Sequence, residues 1–301
     1  MKYCILIMDG AAGLPIPAHG SKTSLELART PHLDAMAKNA LVGLARMVPE
    51  GLDPESSVAC MSIFGYDPQK YYGGRAPIEA RSLGIEIAPG EVLFRCNLVT
   101  VEDNKMISHS AGGISTEEGY ELITTLGKEL GSEKVIFYPG ISYRSILKIK
   151  GCAETALAIC TPPHDIPGQN ITPYLPKGNE NEFLNDLMSR SAVIFKNHPV
   201  NKKRVARGEL PATGIWLFWG SGQIPSMPGF RSVYNLNAAV SSGVSLLQGL
   251  GKMAEMDLLV IPGVTDGLDN NYQSQIKGAL KALTQYDIVI IHVEAPDEAG
   301  H

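Results

Sequence analysis

The sequence predicts an α/β fold in which a mostly parallel sheet flanked by helices is interrupted by a smaller α+β domain. Three observations carry that prediction. Residues 3–8 (YCILIM) form a short apolar run closed by Asp9-Gly10, the pattern of a buried strand that ends in a loop. Two more apolar runs, 257–261 and 286–293, flank a stretch at 270–285 whose apolar residues Tyr272, Ile276, Leu280 and Leu283 repeat at helical spacing. Strand, helix and strand in that order make a βαβ unit, and hence parallel pairing. Between about 95 and 176 the chain instead reads as several short strands around one helix.

Each element has its local reason. Thr30-Pro31 supplies a cap and an N1 proline, and Leu33, Met36, Ala37 and Ala40 then follow at helical spacing. Ser56 and Ser57 stand at the predicted start of a further helix. In the middle, strands are predicted at 95–101, 134–138, 143–149 and 155–160, with a helix over 117–130 and another at about 180–196. The Pro/Gly-rich stretch 161–178 (TPPHDIPGQNITPYLPKG) reads as a loop crossing between domains. The predicted division is therefore a core of 1–94 and 177–301 and an inserted domain of 95–176.

Composition excludes several function classes. The 301 residues carry 26 basic and 31 acidic side chains, a net charge of −5, with no run of five like charges, which argues against nucleic acid or an anionic membrane as partner. The Lys202-Lys203-Arg204 cluster reads as solvated surface. Five scattered cysteines without a CxxC pair fit a reducing compartment, so a cytoplasmic location is expected. Asp9 interrupts the amino-terminal apolar run before a signal sequence could form, and no apolar stretch approaches the roughly 20 residues that span a bilayer. The sequence contains no Walker A pattern, and the WGSG at 219–222 is not a dinucleotide fingerprint, so no nucleotide is expected.

In open α/β sheets, ligands bind beyond the carboxyl ends of the strands. That rule selects Asp9 after the first strand, and Asp297 with His301 after the last. Carboxylate and imidazole four residues apart suit Zn²⁺ or Mn²⁺ if the segment coils; the alternative is that Asp297 caps a helix and His301 is exposed. Ser56 at a helix start is either a nucleophile placed where backbone N–H groups favour phosphate, or a plain cap. Arg75, Arg95, Arg144 and Arg204 are candidate binders of phosphate or carboxylate, and His164-Asp165 a candidate acid/base pair.

Along nearly the whole chain these segments resemble the archaeal-type cofactor-independent phosphoglycerate mutases of the alkaline phosphatase superfamily. The resemblance rests on MDG at 8–10, TSLELARTPHLDAMA at 23–37, VPEG at 48–51, FGYDPQKYYGGRAPIEA at 64–80, FRCNLVTV at 94–101, FYPGISYR at 137–144, TPPHDI at 161–166, HPVN at 198–201 and HVEAPDEAGH at 292–301. It implies an alkaline-phosphatase-like core and a phosphoserine mechanism across two divalent ions, Mn²⁺ or Zn²⁺, with Mg²⁺ and Co²⁺ as further candidates and no 2,3-bisphosphoglycerate. Ser56 is then the nucleophile, and Asp9, Ser56, Asp297 and His301 the metal ligands. Arg75, Arg95, Arg144, His164 and Asp165 would bind a small phosphorylated hydroxy acid, under a middle domain that closes over the site. A homo-oligomer is compatible with this picture.

Four positions depart from the family pattern. Glu55 stands where relatives carry glycine, Ser57 where they carry an acid, Cys60 in place of asparagine, and Gly113 in place of a basic residue or histidine. The resemblance also implies that the family continues past the final motif with further metal ligands, so the chain reads as cut at His301. Three activities are compatible: interconversion of 3-phosphoglycerate and 2-phosphoglycerate, phosphoryl transfer to another small hydroxy acid such as homoserine, and binding of a metabolite without turnover.

Overall fold

The computed structural model describes residues 1–222 and 226–300. The chain falls into two compact units, Met1–Tyr72 with Ser226–His301, and Gly73–Pro225. In chain order the first segment holds β1 (Tyr3–Met8), α1 (Ser24–Leu27), α2 (Pro31–Ala37), α3 (Ser56–Ile63) and α4 (Pro68–Tyr71). The second unit holds α5 (Arg75–Ser82), β2 (Glu91–Glu102), β3 (Lys105–Ser108), α6 (Thr116–Glu129), β4 (Val135–Tyr138), β5 (Arg144–Lys150), α7 (Asn181–Phe195), α8 (Pro199–Ala206) and β6 (Gly214–Ser221). The first unit resumes with α9 (Phe230–Tyr234), β7 (Ala238–Ser241), α10 (Ser245–Met253), β8 (Asp257–Leu258), α11 (Tyr272–Ala282), β9 (Ile288–Val293) and α12 (Ala295–Gly300).

The first unit is the predicted parallel α/β layer. Its sheet runs β1-β9-β7-β8 with every pairing parallel. The mostly apolar β9 and β7 are buried nearly throughout, as suits strands covered on both faces, and Val289 and Ile291 pack with Ala239 and with Ala279 of α11. The first and last predicted strands are neighbours, in the register Ile7↔His292 and Met8↔Val293. Asp9 and Glu294 therefore leave the sheet side by side. The predicted strand at 257–261 pairs only through Asp257–Leu258, one further bond running from Leu259 N to Val240 O, before Pro262 and Gly263 turn the chain.

The second unit is built on an antiparallel sheet of order β3-β2-β5-β4, with β6 also paired to β2. β2 is twelve residues long, and its side chains alternate between two faces. Phe94, Cys96 and Leu98 join Leu122, Ile123 and Leu126 of α6 and Leu184 and Leu187 of α7 in the main core. Leu93 packs on the opposite face with Ala76 and Ala80 of α5 and Ile146 of β5. Arg95 and Asn97 share that second face, so it carries charge beneath α5.

Several predicted boundaries differ. The unit extends from Gly73 to Pro225 rather than over 95–176, because Arg95 lies within β2, whose partner β6 ends at Ser221. It is thus as long as the first unit, not smaller. The helix expected at 180–196 forms, but as α7 it packs on β6 of this unit instead of opening the parallel core. Residues 155–160 are not a strand: Ala153–Leu157 is a 3-10 turn in which the Thr155 hydroxyl donates to Cys152 O at 2.7 Å. The stretch 161–178 stays inside the unit, with short turns at Pro163–Asp165 and Thr172–Tyr174. Arg204, expected on a solvated surface, is 3 % exposed and donates to Glu118, Leu210 O and Ala111 O. All five cysteines are free, and no described helix is long and apolar enough to cross a membrane.

Candidate active site

In the first unit, Asp9, Ser56 and His292 converge from three elements. Asp9 follows β1 in a turn that needs Gly10: φ there is +68°, and a Cβ would lie 2.5 Å from the Cα of Asp297. The MDG turn is thereby seated directly on the first turn of α12. Asp297 is the third residue of that helix rather than its cap. Ser56 is the first residue of α3, and its hydroxyl hydrogen-bonds the Asp9 carboxylate. His292 has a fully buried side chain; Nε2 lies 3.2 Å from Asp9 Oδ2 and Nδ1 3.0 Å from Ser242 Oγ. Its backbone carbonyl accepts from Gln275 Nε2, itself held by Asn270.

The charges are set by this packing. The bond to His292 holds the Asp9 carboxyl below its ordinary range against the cost of burial, with the Ser56 hydroxyl and the Gly10 amide assisting. Glu294 behaves oppositely: burial, with Asp9 and Asp297 nearby, pushes it up to about 7. Its Oε2 is buried without a hydrogen-bond partner although it lies 3.3 Å from His292 Nε2. Cys60 follows Ser56 by one helical turn, and burial, with the charges of Asp9 and Glu294, pushes its thiol up to about 12. Ligand atoms of Asp9, Cys60 and His292 all lie within 4.8 Å of one another. A buried orphan carboxylate oxygen beside carboxylate, imidazole and sulfur is a donor set that a divalent cation fits.

Two departures from the family pattern meet beside Ser56. Glu55 Oε2 accepts from Ser57 Oγ and from Tyr72 Oη, each at 2.9 Å. Ser57 is fully buried. The hydroxyls of Ser57 and Tyr72 thereby tie the Glu55 carboxylate to the start of α3.

The second unit gathers cations. Gly73-Gly74 starts α5: φ at Gly74 is +110°, a Cβ there would meet Ser221 at 2.7 Å, and the Ser221 hydroxyl donates to Gly73 O. Arg75 then follows, and one turn on Glu79 Oε1 accepts from Arg75 Nε at 2.8 Å and from Arg95 at 2.5 Å. Arg144 lies on the same sheet face, paired in register with Asn97. Burial pushes Glu79 up, but Arg95, Arg75 and Arg144 together hold it below its ordinary value. Burial lowers Arg95 to about 10, still protonated at neutral pH, and its Nε has no partner. A buried guanidinium, Arg95, with Arg75 and Arg144 beside it forms a cationic cluster of the kind that binds a phosphate or carboxylate.

Aromatic side chains frame this cluster. The β2–β6 register slips between Leu93↔Ser221 and Arg95↔Phe218, a bulge that leaves Trp219 at φ +50°. Its indole lies 4.9 Å from the Arg75 guanidinium and 5.7 Å from that of Arg95. His164 stacks edge-on to Trp219 and Phe218 and stands 6.2 Å from His109. Burial holds His164 below its ordinary value, Asp165 opposing and His109, Arg75 and Arg95 assisting. The predicted acid/base pair is loose: Asp165 is exposed, and its Oδ1 lies 3.8 Å from His164 Nε2.

Of the predicted residues, Arg75, Arg95, Arg144 and His164 belong to one cluster, and Asp9 and Ser56 are bonded to each other. Asp297 packs on the Asp9 turn. His301 lies outside the described residues. Arg204 is occupied by structural bonds. Sequence reasoning missed His292, Glu294, Glu79, His109 and Trp219. A histidine inside the apolar run IVIIHV was the available signal for the first; the others are brought in by strand register and a bulge.

A parallel α/β unit with acid and imidazole at its strand ends and a serine hydroxyl at a helix start, joined in one chain to an arginine cluster, defines an enzyme acting on a phosphorylated small molecule. The family model described as 2,3-bisphosphoglycerate-independent phosphoglycerate mutase matches residues 37–201. A protein of that name from Methanosarcina acetivorans is 50 % identical over 301 residues, covering all of this chain and 75 % of its own. The solved cofactor-independent phosphoglycerate mutase from Thermoplasma acidophilum matches with a TM-score of 0.56 at 25 % identity, over 97 % of this chain and 78 % of its own. A protein from Pyrococcus horikoshii shares the fold, with a TM-score of 0.78 at 23 % identity over all of this chain and 72 % of its own. The chain belongs to the 2,3-bisphosphoglycerate-independent phosphoglycerate mutase family, isomerases that interconvert 2-phosphoglycerate and 3-phosphoglycerate.

Proposed function

We propose that the chain performs this interconversion through a phosphoserine on Ser56. The observation that carries the proposal is the Ser56 hydroxyl on the first residue of α3, bonded to the ionised Asp9. The backbone N–H groups of the first turn point at any group transferred to that oxygen, and the helix dipole favours its negative charge. Ser56 Oγ bonds to phosphorus as the substrate's ester oxygen departs, leaving glycerate. The reverse displacement by the other glycerate hydroxyl regenerates the serine and completes the isomerisation.

Asp9 orients the serine, and His292 fixes the Asp9 rotamer from the adjacent strand. Two divalent ions, Mn²⁺ or Zn²⁺, would be held at Asp9 and Ser56 and at Asp297 and His301, where they lower the serine's pKa and offset charge on the transferring group. Arg75, Arg95 and Arg144 bind the substrate's anionic groups, His164 lines the same pocket, and Asp165 lies at its margin. Segments 1–72 and 226–301 carry the chemistry, and 73–225 the recognition. A Ser56→Ala variant tests the reading: 3-phosphoglycerate conversion is expected to vanish while the protein still melts cooperatively. Retained turnover would overturn it.

A further inference from the structure

The strongest unexplained feature is the position of Cys60. Ser56 and Cys60 are separated by one turn of α3 and so share a helix face. The cysteine is 2 % exposed, buried with Val58 and Met61 of the same helix. Its sulfur lies instead with Asp9 and His292, their ligand atoms mutually within 4.8 Å. His292 is fixed from behind, Nδ1 against Ser242 Oγ at 3.0 Å and its carbonyl on Gln275, so Nε2 is aimed at the same point as the sulfur. The buried Glu294 Oε2, with no hydrogen-bond partner, lies 3.3 Å from that nitrogen. Oxygen, nitrogen and sulfur donors from β1, α3 and β9 thus converge on one point.

We infer that Cys60 is a metal ligand, forming with Asp9 and His292 a mixed S/N/O site that selects Zn²⁺ over Mn²⁺. This rests on the reading that Asp9 binds metal. Manganese and magnesium prefer carboxylate, carbonyl and water, whereas thiolate and imidazole favour zinc. Binding replaces the S–H bond by a sulfur–metal bond and releases one proton to solvent. A soft anionic donor beside the Asp9 carboxylate and the His292 imidazole sets the metal preference of this chain at position 60.

Co²⁺ is the probe, because a thiolate ligand adds a sulfur-to-cobalt charge-transfer band in the near ultraviolet beside the visible d–d bands of the ion. The metal-free protein is titrated with Co²⁺, and then with Zn²⁺ and Mn²⁺ in competition, alongside Cys60→Ser and Cys60→Asn. The expected result is a charge-transfer band in the wild type that both variants lose while retaining visible Co²⁺ bands. Zn²⁺ affinity is expected to fall about tenfold or more in the variants, on the scale of losing a ligand or its support, with Mn²⁺ affinity nearly unchanged. Visible Co²⁺ bands without the charge-transfer band in the wild type, or a band that persists in both variants, would overturn the assignment of Cys60 alone. Absence of any Co²⁺ binding by the wild type would overturn the Asp9 metal reading beneath it.

Discussion

His292 Nε2 lies 3.2 Å from Asp9 Oδ2, across the register of the first strand and the last. Residues 283 positions apart in sequence are brought together because β1 and β9 are parallel neighbours. The contact makes the Asp9 carboxylate, and through it the Ser56 hydroxyl, depend on a histidine outside the nucleophile motif. His292→Asn removes the imidazole that lowers the Asp9 pKa. Metal affinity is expected to drop by about tenfold or more, because the imidazole is both the partner of Asp9 and a ligand of the site inferred above, measured by isothermal titration.

Glu294 gives the metal-free protein a distinctive pH dependence. Its folded pKa, about 7, lies above the ordinary 4.5. Between those values the folded state holds a proton that the unfolded state has lost, so stability falls as pH rises through this window, by an amount on the order of 3 kcal/mol. Thermal melts from pH 4.5 to 8 should show the decline. Glu294→Gln should remove it, and a bound divalent cation should reverse it.

Glu79 works with the opposite sign. Its folded pKa is lowered, so its contribution is fully present at neutral pH and is lost as pH falls from about 4.5 through the folded value. Glu79→Gln leaves Arg75 and Arg95 facing one another without a carboxylate. A loss of about 3–5 kcal/mol is expected, the cost of breaking a buried ion pair, read by chemical denaturation.

Trp219 is predicted to matter for binding and not for phosphoryl transfer. Trp219→Ala removes the ring against the Arg75 and Arg95 guanidinium groups. KM for 3-phosphoglycerate should rise several-fold, consistent with about 0.5–2 kcal/mol for a partly buried cation–π contact. The amount of Ser56 phosphorylated at saturating substrate should not change.

Gly10→Ala tests the seating of the MDG turn. The added Cβ meets the backbone of Asp297 at 2.5 Å and takes a φ of +68° that side chains rarely adopt. A destabilisation of about 1–3 kcal/mol is expected from strain and overpacking, accompanied by weaker metal binding.

Much of this was legible in the sequence, for physical reasons that also mark where legibility stops. The short apolar runs YCILIM and IVIIHV, with the helical spacing between Tyr272 and Leu283, read as strand, helix and strand of a parallel layer; β9 is buried as expected, whereas β1 forms and pairs in register but lies exposed, with Tyr3, Leu6 and Met8 at the surface. Strand-end position selected Asp9, and a helix start selected Ser56. The extent of the second unit was not legible, since β2 pairs with a strand more than a hundred residues further on, and such pairing leaves no local mark. The Trp219 bulge was hidden for the same reason, being a mismatch between two distant strands. Residues 155–160 looked strand-like, yet the Thr155 hydroxyl donates to the Cys152 carbonyl three residues back and makes a turn.

The central claim, a phosphoryl group carried by Ser56, is tested most directly by rapid quench with 3-phosphoglycerate and metal, followed by peptide mapping of the α3 segment by mass spectrometry. The account predicts one added phosphate on Ser56, absent in Ser56→Ala and discharged when glycerate is supplied. Turnover without phosphate on Ser56, or phosphate on Ser57 instead, would contradict it.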